Sequence, residues 1–360
     1  AETTRAIHFT SWQFVAQGGF AWRDPAGGFL SPWSDTDAGA RFEPGAPSGI
    51  RLVSQRPRRV RLPDGQHVPI VFEDGLYKTW YVRLPTREPP NENVPTGHNH
   101  CLCYATSGDG VHWDEPQLGL YELDGDRRNN VVFRGDAGGS IRGLHGQQVF
   151  RDPAGEPAER YKMVYLGKAT AEELAAYRAA WGDEADPMAL LPDGSAWALC
   201  GAVSPDGIRW QTLSQPLLVV HCDTGNCVYY DARLGRYVSY YRIWQIDWTA
   251  PAARETCGSV GRRSIGRATS RDFRHFSPPQ VLIAPGADMP PGHVWYGPGK
   301  TTLPGCPDQH VMFPYLWKLD SDSMDVHLLS SPDGWAWAEV PGGPVLTPGE
   351  PGSWDGGYVV

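Results

Sequence analysis

The sequence predicts an all-β chain, a five-bladed β-propeller of four-stranded antiparallel blades with one short helical insertion, and three observations carry that expectation. The stretch Tyr104-Ala-Thr-Ser-Gly-Asp-Gly-Val-His-Trp113 recurs as Ala202-Val-Ser-Pro-Asp-Gly-Ile-Arg-Trp210, Ala268-Thr-Ser-Arg-Asp-Phe-Arg-His-Phe276 and Leu329-Ser-Ser-Pro-Asp-Gly-Trp-Ala-Trp337. Its serines, Ser107, Ser204, Ser270 and Ser331, lie 97, 66 and 61 residues apart. That is the size of a four-stranded blade with its loops, and such self-similarity marks a repeat fold. Composition agrees: 42 Gly and 33 Pro beside 15 Trp and 15 Tyr suit many short strands joined by elaborate turns.

Each copy reads as a hairpin. Ser and Asp side chains bond backbone N–H groups of a tight turn, Gly accepts positive φ, and the aromatic four residues past the Asp covers the neighbouring strand. Asp109, Asp206, Asp272 and Asp333 are therefore turn formers, not reactive groups.

In chain order, residues 1–55 carry turn signals at Asp24-Pro25, Gly27-Gly28 and Pro32 and read as strands of an incomplete blade or cap, so that 1–360 forms one domain. The run from His67 to Val82 reads as two strands around Glu73-Asp74-Gly75, and Leu102 to Trp113 as the next two strands of blade one. Blade two takes Gln147–Phe150, a turn at Arg151–Gly155, Arg160–Tyr165 and Trp197–Trp210. Blade three takes Asn226–Tyr230, a turn at Asp231–Gly235, Arg236–Arg242 and Ser264–Phe276. Blade four takes Val294–Leu303, a turn at Pro304-Gly305, His310–Leu316 and Met324–Trp337. Only Ala169–Trp181 reads as a helix, with Thr170 as N-cap and Glu172 and Glu173 in the first turn. It falls between the second and third strands of blade two, which accounts for the long repeat interval there. Ser353–Val360 begins like the inner strand of a fifth blade. Either the Trp12–Trp22 region pairs with it to close the ring, or the natural chain continues.

Bulk properties narrow the function. Hydrophobic residues at 41% suffice for a continuous core, and a net charge of −9 leaves no basic footprint for nucleic acid. No apolar run of 18 residues offers a membrane-spanning helix. Seven cysteines without paired Cys-x-x-Cys units read as reduced, mostly buried thiols, with a Cys222–Cys227 loop as the alternative. The absence of a charged-then-apolar leader favours a cytoplasmic location, or a secreted one if a signal peptide preceded Ala1. Oligomeric state is not legible.

Cys103-Tyr-Ala-Thr-Ser-Gly-Asp-Gly-Val-His-Trp113, Asp124-Gly-Asp-Arg-Arg-Asn-Asn-Val-Val132, Arg160-Tyr-Lys-Met-Val-Tyr165 and Ser204-Pro-Asp-Gly-Ile-Arg-Trp210 together resemble the five-bladed propeller glycosidases. That superfamily includes the invertase/levanase and arabinanase/xylosidase enzymes, and the likeness runs from about residue 56 onward. Sialidases carry similar hairpins in six-bladed propellers, where they are structural. The resemblance implies a carboxylate-based site at one end of the central axis, acting on an oligosaccharide or glycoside without a cofactor. Propeller geometry locates it alike, because only the starts of the inner strands converge.

Hydrolysis of an acetal needs one carboxylic acid to protonate the leaving oxygen and a second carboxylate to attack or to activate water. Asp223, in His221-Cys-Asp-Thr-Gly-Asn-Cys227, precedes the inner strand of blade three. Asp355, in Gly352-Ser-Trp-Asp-Gly-Gly357, holds the corresponding place in blade five. Glu255, on the long loop after Arg242, is a third candidate against a solvated surface charge. Asp24 is a fourth: Trp22-Arg-Asp-Pro-Ala-Gly27 is similar to the stretch bearing the invertase nucleophile. Phe150-Arg-Asp-Pro153 is similar to that family's Arg-Asp-Pro stabiliser, but here Asp152 follows a strand and starts a turn, so it reads as structural. Arg142 and His145 precede the inner strand of blade two, while His293, Trp295 and Tyr296 attend that of blade four. With Arg242 they offer donors for hydroxyls and flat faces for sugar rings. His98 and His100 have a metal-ligand spacing but no third ligand, so no metal is expected. Two rivals remain, a propeller phosphorylase in which Arg and His bind phosphate, and a non-catalytic carbohydrate-binding propeller.

Overall fold

The structure is a computed structural model and describes residues 20–23, 29–30, 41–44, 62–63, 66–67, 70–85, 100–136, 143–245, 262–303, 306–340, 343–353 and 355–357. Its described residues are all-β apart from one α-helix and short 3₁₀ turns. A three-stranded sheet (Phe29–Leu30, Phe20–Arg23, Arg41–Pro44) comes first. Sheet one follows, ordered Gln66–His67, Leu76–Arg83, Cys101–Ser107, Val131–Arg134, with Val71–Glu73 also paired to Leu76–Arg83. Sheet two is His145–Arg151, Tyr161–Ala169, Ala196–Ser204, Gln211–Thr212, and sheet three is Cys227–Asp231, Arg236–Gln245, Arg262–Ser270, Gln280–Ile283. All pairings are antiparallel.

A fourth repeat is split. Its strands are interrupted at 298–299, 313–314 and 327–328, with register shifts at Trp295/Gly297 and Thr302/Leu303. One half pairs Lys300–Leu303, Cys306–Met312, Leu329–Ser331 and Ala338–Glu339, and the other pairs His293–Gly297, Tyr315–Lys318 and Ser323–Val326. Pro298 and Pro314, at the breaks, lack the N–H a ladder requires. The expectation of unbroken strands over Val294–Leu303 and His310–Leu316 is corrected accordingly, and Met324–Trp337, expected to complete blade four, holds strands in both halves.

A second correction concerns where fourth strands begin. Leu102–Trp113 supplies one strand and its hairpin, and the fourth strand of sheet one is Val131–Arg134. In sheet two it starts at Gln211, just past Trp210. The turn uses up the repeat motif, so the strand lies beyond its aromatic. The expected turn at Pro304-Gly305 lies outside the described residues, as do residues 358–360.

The four hairpins are alike atom for atom. Each Ser Oγ accepts from the N–H groups two and three residues on, and each Asp Oδ1 does the same, as at Ser204 (3.3 and 2.9 Å) and Asp206 (2.8 and 2.8 Å). The third residue after each Ser has positive φ: Gly110, Gly207, Phe273 at +59° and Gly334. At the last three hairpins that residue meets an aromatic of the preceding sheet, whereas Gly110 lies against Tyr77 of its own sheet. Trp80 Nε1 donates to Gly207 O at 2.7 Å, Phe150 lies edge-on to Phe273, and Tyr240 OH donates to Gly334 O at 2.7 Å. A Cβ at Gly207 would lie 2.6 Å from the Trp80 ring. The last three hairpins thus lock consecutive sheets together.

Between the sheets lie three apolar clusters. Trp80, Tyr104 and Phe133 pack on Met163, Tyr165 and Cys200, Phe150 and Leu199 on Tyr241 and Phe276, and Tyr240 and Ile265 on Met312 and Leu316. The helix Ala171–Trp181 carries the expected capping box, Thr170 Oγ1 accepting from Glu173 N–H while the Glu173 carboxylate accepts from Thr170 N–H. Cys103, Cys222, Cys227 and Cys306 are free thiols, so the Cys222–Cys227 loop is not formed.

Candidate functional site

The starts of three inner strands meet around Asp223. This residue has φ of +50° in the turn before Cys227–Asp231. The turn is held by Asn226, whose Nδ2 donates to Asp223 O at 3.0 Å and to Gly146 O in sheet two at 2.9 Å. Gly146 is the close-approach residue: with φ of +56°, any Cβ there would sit 2.4 Å from Asp223 O. Its neighbour His145 is thereby placed against Asp223, Nε2 to Oδ1 at 3.0 Å.

Arg242, fully buried on the second strand of sheet three, donates through Nη1 to Asp223 Oδ2 and through Nε to Tyr296 O at 2.7 Å. Its guanidinium lies 3.9 Å from the centre of the Tyr296 ring. Strand alternation puts Trp244 on the same face as Arg242, and Arg263 pairs directly with Trp244 across the hairpin. The Arg263 guanidinium sits 4.4 Å from the Trp317 ring and 4.9 Å from Tyr296. His221 closes one side, its ring 5.1 Å from Trp244.

Electrostatics follow from this packing. Burial pushes the Asp223 carboxyl up, but the His145 hydrogen bond and the Arg242 charge outweigh it and hold the group well below the usual carboxylate range. Asp223 is thus an ionised carboxylate whose side chain keeps 24% exposure, whereas Arg242 beneath it has none. Burial and the charge of Arg242 lower the Arg263 pKa, and burial lowers that of His221.

Of the residues singled out from sequence, His145, Asp223, Arg242 and Tyr296 are brought together. Trp295 is buried in the cluster with Ile265 and Leu316, its ring edge-on to His327 at 5.7 Å. His293 begins its strand with its N–H bonded to Pro290 O. Asp355 is buried in the C-terminal loop, where Ser353 Oγ donates to Oδ1 at 2.8 Å and Gly349 N–H to the backbone O at 2.9 Å. Glu255, Asp24 and Arg142 lie outside the described residues, as does His98. Asp152 pairs with Lys162 at 2.8 Å and accepts from Tyr237 OH at 2.6 Å, a closed structural contact.

Sequence reasoning missed Trp244, Arg263, Trp317 and His221. Arg242-x-Trp244 was a signal, since alternate positions share a strand face, but the register that sets Arg263 opposite Trp244 depends on a long loop the sequence does not fix. Among the described residues no group of three or more His, Cys, Asp or Glu is placed to hold a metal.

No protein-family profile and no curated protein matches the chain. Structure comparison finds it similar to a protein described as a glycoside hydrolase (14% identity, 83% of this chain and 80% of that one, TM-score 0.49). It is also similar to an endo-arabinase from Bacteroides thetaiotaomicron VPI-5482 (10% identity, 77% and 80%, TM-score 0.46). A third is the Bombyx mori GH32 β-fructofuranosidase BmSUC1 (10% identity, 77% and 48%, TM-score 0.46).

Proposed function

We propose that the chain cleaves a glycosidic bond at the Asp223 centre and that its sheets are blades of a closed five-bladed propeller. The observation that carries this reading is the meeting of His145, Asp223 and Tyr296, from the inner-strand regions of three consecutive sheets, around one buried arginine. An ionised, part-exposed carboxylate bordered by aromatic faces is what attack on, or stabilisation of, an oxocarbenium-like centre requires. Held so far below its usual range, Asp223 serves as nucleophile, base or stabiliser rather than as proton donor. His145 and Arg242 position it, and Tyr296 offers a ring face.

The proton donor must then be a second carboxylate. Glu255 is our first choice, because the chain bearing it leaves sheet three at Gln245 and returns at the paired Arg262, beside Trp244 and Arg263. Asp355 and Asp24 are the other two. Phosphorolysis is a second reading, favoured by the arginines beside Asp223, and turnover that depends on inorganic phosphate would select it.

The test is Asp223→Asn assayed on a panel of aryl glycosides. Loss of kcat by roughly 10³-fold or more with substrate binding retained supports the reading. A wild-type protein that binds sugars and turns over none of them overturns it in favour of a carbohydrate-binding propeller.

A further inference from the structure

Resting on that reading, the site also shows what kind of sugar it takes. Arg242 is fully buried, yet among the described residues only two of its three nitrogens are used: Nη1 meets Asp223, Nε meets Tyr296 O, and Nη2 is buried without a hydrogen-bond partner. Arg263, stacked against Trp317 and Tyr296 on the same face, has Nε and Nη1 buried and unpartnered among the described residues. His145 Nδ1 and His221 Nδ1 are also unpartnered. Buried N–H donors left without acceptors each cost about 1–3 kcal/mol, more on a charged group. A cluster of them on two guanidiniums is a receptor for something with several acceptor atoms.

Charge says what that something is. The two guanidiniums carry two positive charges, and Asp223 returns one negative charge. Among the described residues, and with neutral imidazoles and a protonated acid, the centre is left with a single uncompensated positive charge in a mostly buried setting. A monoanion balances it, whereas a phosphate dianion overshoots unless an imidazole also protonates. Guanidinium forks match the planar two-oxygen edge of a carboxylate. The rings of Trp244, Tyr296 and Trp317 around the same arginines suit the C–H faces of a pyranose or furanose.

We propose that Arg242 and Arg263 form a carboxylate subsite and that the sugar bound beside Asp223 is an acidic one, a uronic acid residue. Arg263 is the specificity determinant, since it makes no ion pair within the described residues, while Arg242 also positions Asp223.

Calorimetric titration of the full chain with D-glucuronate and D-galacturonate, with D-glucose and D-galactose as neutral counterparts and with inorganic phosphate, tests the assignment. Expected are binding of at least one uronate about tenfold or more tighter than its neutral counterpart, and loss of that preference in Arg263→Gln with partial rescue in Arg263→Lys. Equal affinity of the wild-type protein for acidic and neutral sugars overturns it without need of any variant. So does an Arg263→Gln effect of the same size on both classes, and so does phosphate binding tighter than every uronate with phosphate-dependent turnover. Turnover of neutral glycosides only, abolished by Asp223→Asn, sinks the acidic-sugar assignment and leaves the glycosidase reading intact. Tight uronate binding without turnover of any glycoside, acidic ones included, does the reverse.

Discussion

Two acid–base pairs sit at neighbouring places in the same stack of sheets, Asp152–Lys162 in sheet two and Asp223–Arg242 in sheet three, and they differ in what is left over. Asp152 accepts from Lys162, Tyr237 and Ala154 N–H, and Lys162 donates on to Glu159 O at 3.1 Å and lies over the Phe273 ring. Both side chains are shielded from solvent. Asp223 is equally well bonded but partly open, and the arginines around it keep spare N–H groups. Burial and ion pairing are common to both. Unspent hydrogen-bonding capacity is what separates the two, and it is what the binding centre proposed at Asp223 would use.

The largest effect expected is at the open pair, where Asp223→Asn removes roughly 10³-fold or more of turnover while unfolding at nearly the same urea concentration. The closed pair behaves in the opposite way. Asp152→Ala leaves the buried Lys162 ammonium with only the more distant Glu159 carboxylate, at 3.5 Å, and costs about 3–5 kcal/mol of stability in urea unfolding, with turnover per folded molecule unchanged. If Asp152→Ala abolished turnover at full stability, the division between the two pairs would be wrong.

A smaller effect is expected where sheets are braced by backbone. Gly207→Ala must hold a methyl group at φ of +76° and 2.6 Å from the Trp80 ring, which also donates to the Gly207 carbonyl. The change costs roughly 1–3 kcal/mol for the backbone alone, read as a lowered Tm. The natural exception, Phe273, is informative. It tolerates φ of +59° because its ring fills the gap between Phe150 and Tyr237.

Those contrasts bear on what the sequence discloses. Hairpins were legible because Ser-x-Asp-Gly is a local device whose bonds close within a few residues, and the helix because Thr170 and Glu173 cap it from inside. Asp223 was legible as a carboxylate just before an inner strand. The partners that give it meaning were only half so. His145 and Arg242 could be named, but Arg263 depends on pairing across the segment from residue 246 to 261, and the spare N–H groups are a property of packing in three dimensions. The broken strands of the fourth repeat were signalled by Pro298 and Pro314. They escaped because an apolar run on both sides of a proline reads as one strand until its pairing is seen.

Lys300 sharpens the comparison by showing how a buried cation fares with no carboxylate beside it. It lies on the inner strand region of the fourth repeat, 3.2 Å from the centre of the Tyr229 ring, with Tyr240 and His310 close by. It makes no ion pair within the described residues. Burial pushes its pKa down to about 7, against the pull of Cys227 and Asp231 and with the help of Arg267, and burial lowers His310 to about 4. Between pH 7 and the ordinary lysine range near 10.5 the unfolded chain therefore holds a proton at Lys300 that the folded one does not, so this lysine's contribution to stability rises with pH across that window and levels off below it. It is read below about pH 9, before the thiols that burial pushes up, Cys103 and Cys227, begin to oppose it. His310 produces a second rise between about pH 4 and 6.5. Lys300→Met fills the same volume without a charge. It is expected to erase the upper rise in urea midpoints, keep the lower one, and leave stability at pH 7 unchanged or slightly higher. An upper rise that persisted in the variant would remove Lys300 as its source. The lysine resolves its burial by releasing a proton at accessible pH, a course closed to a guanidinium. Arg242 and Arg263, a few residues along the same seam, have to keep their charge, and Asp223 answers only one of the two.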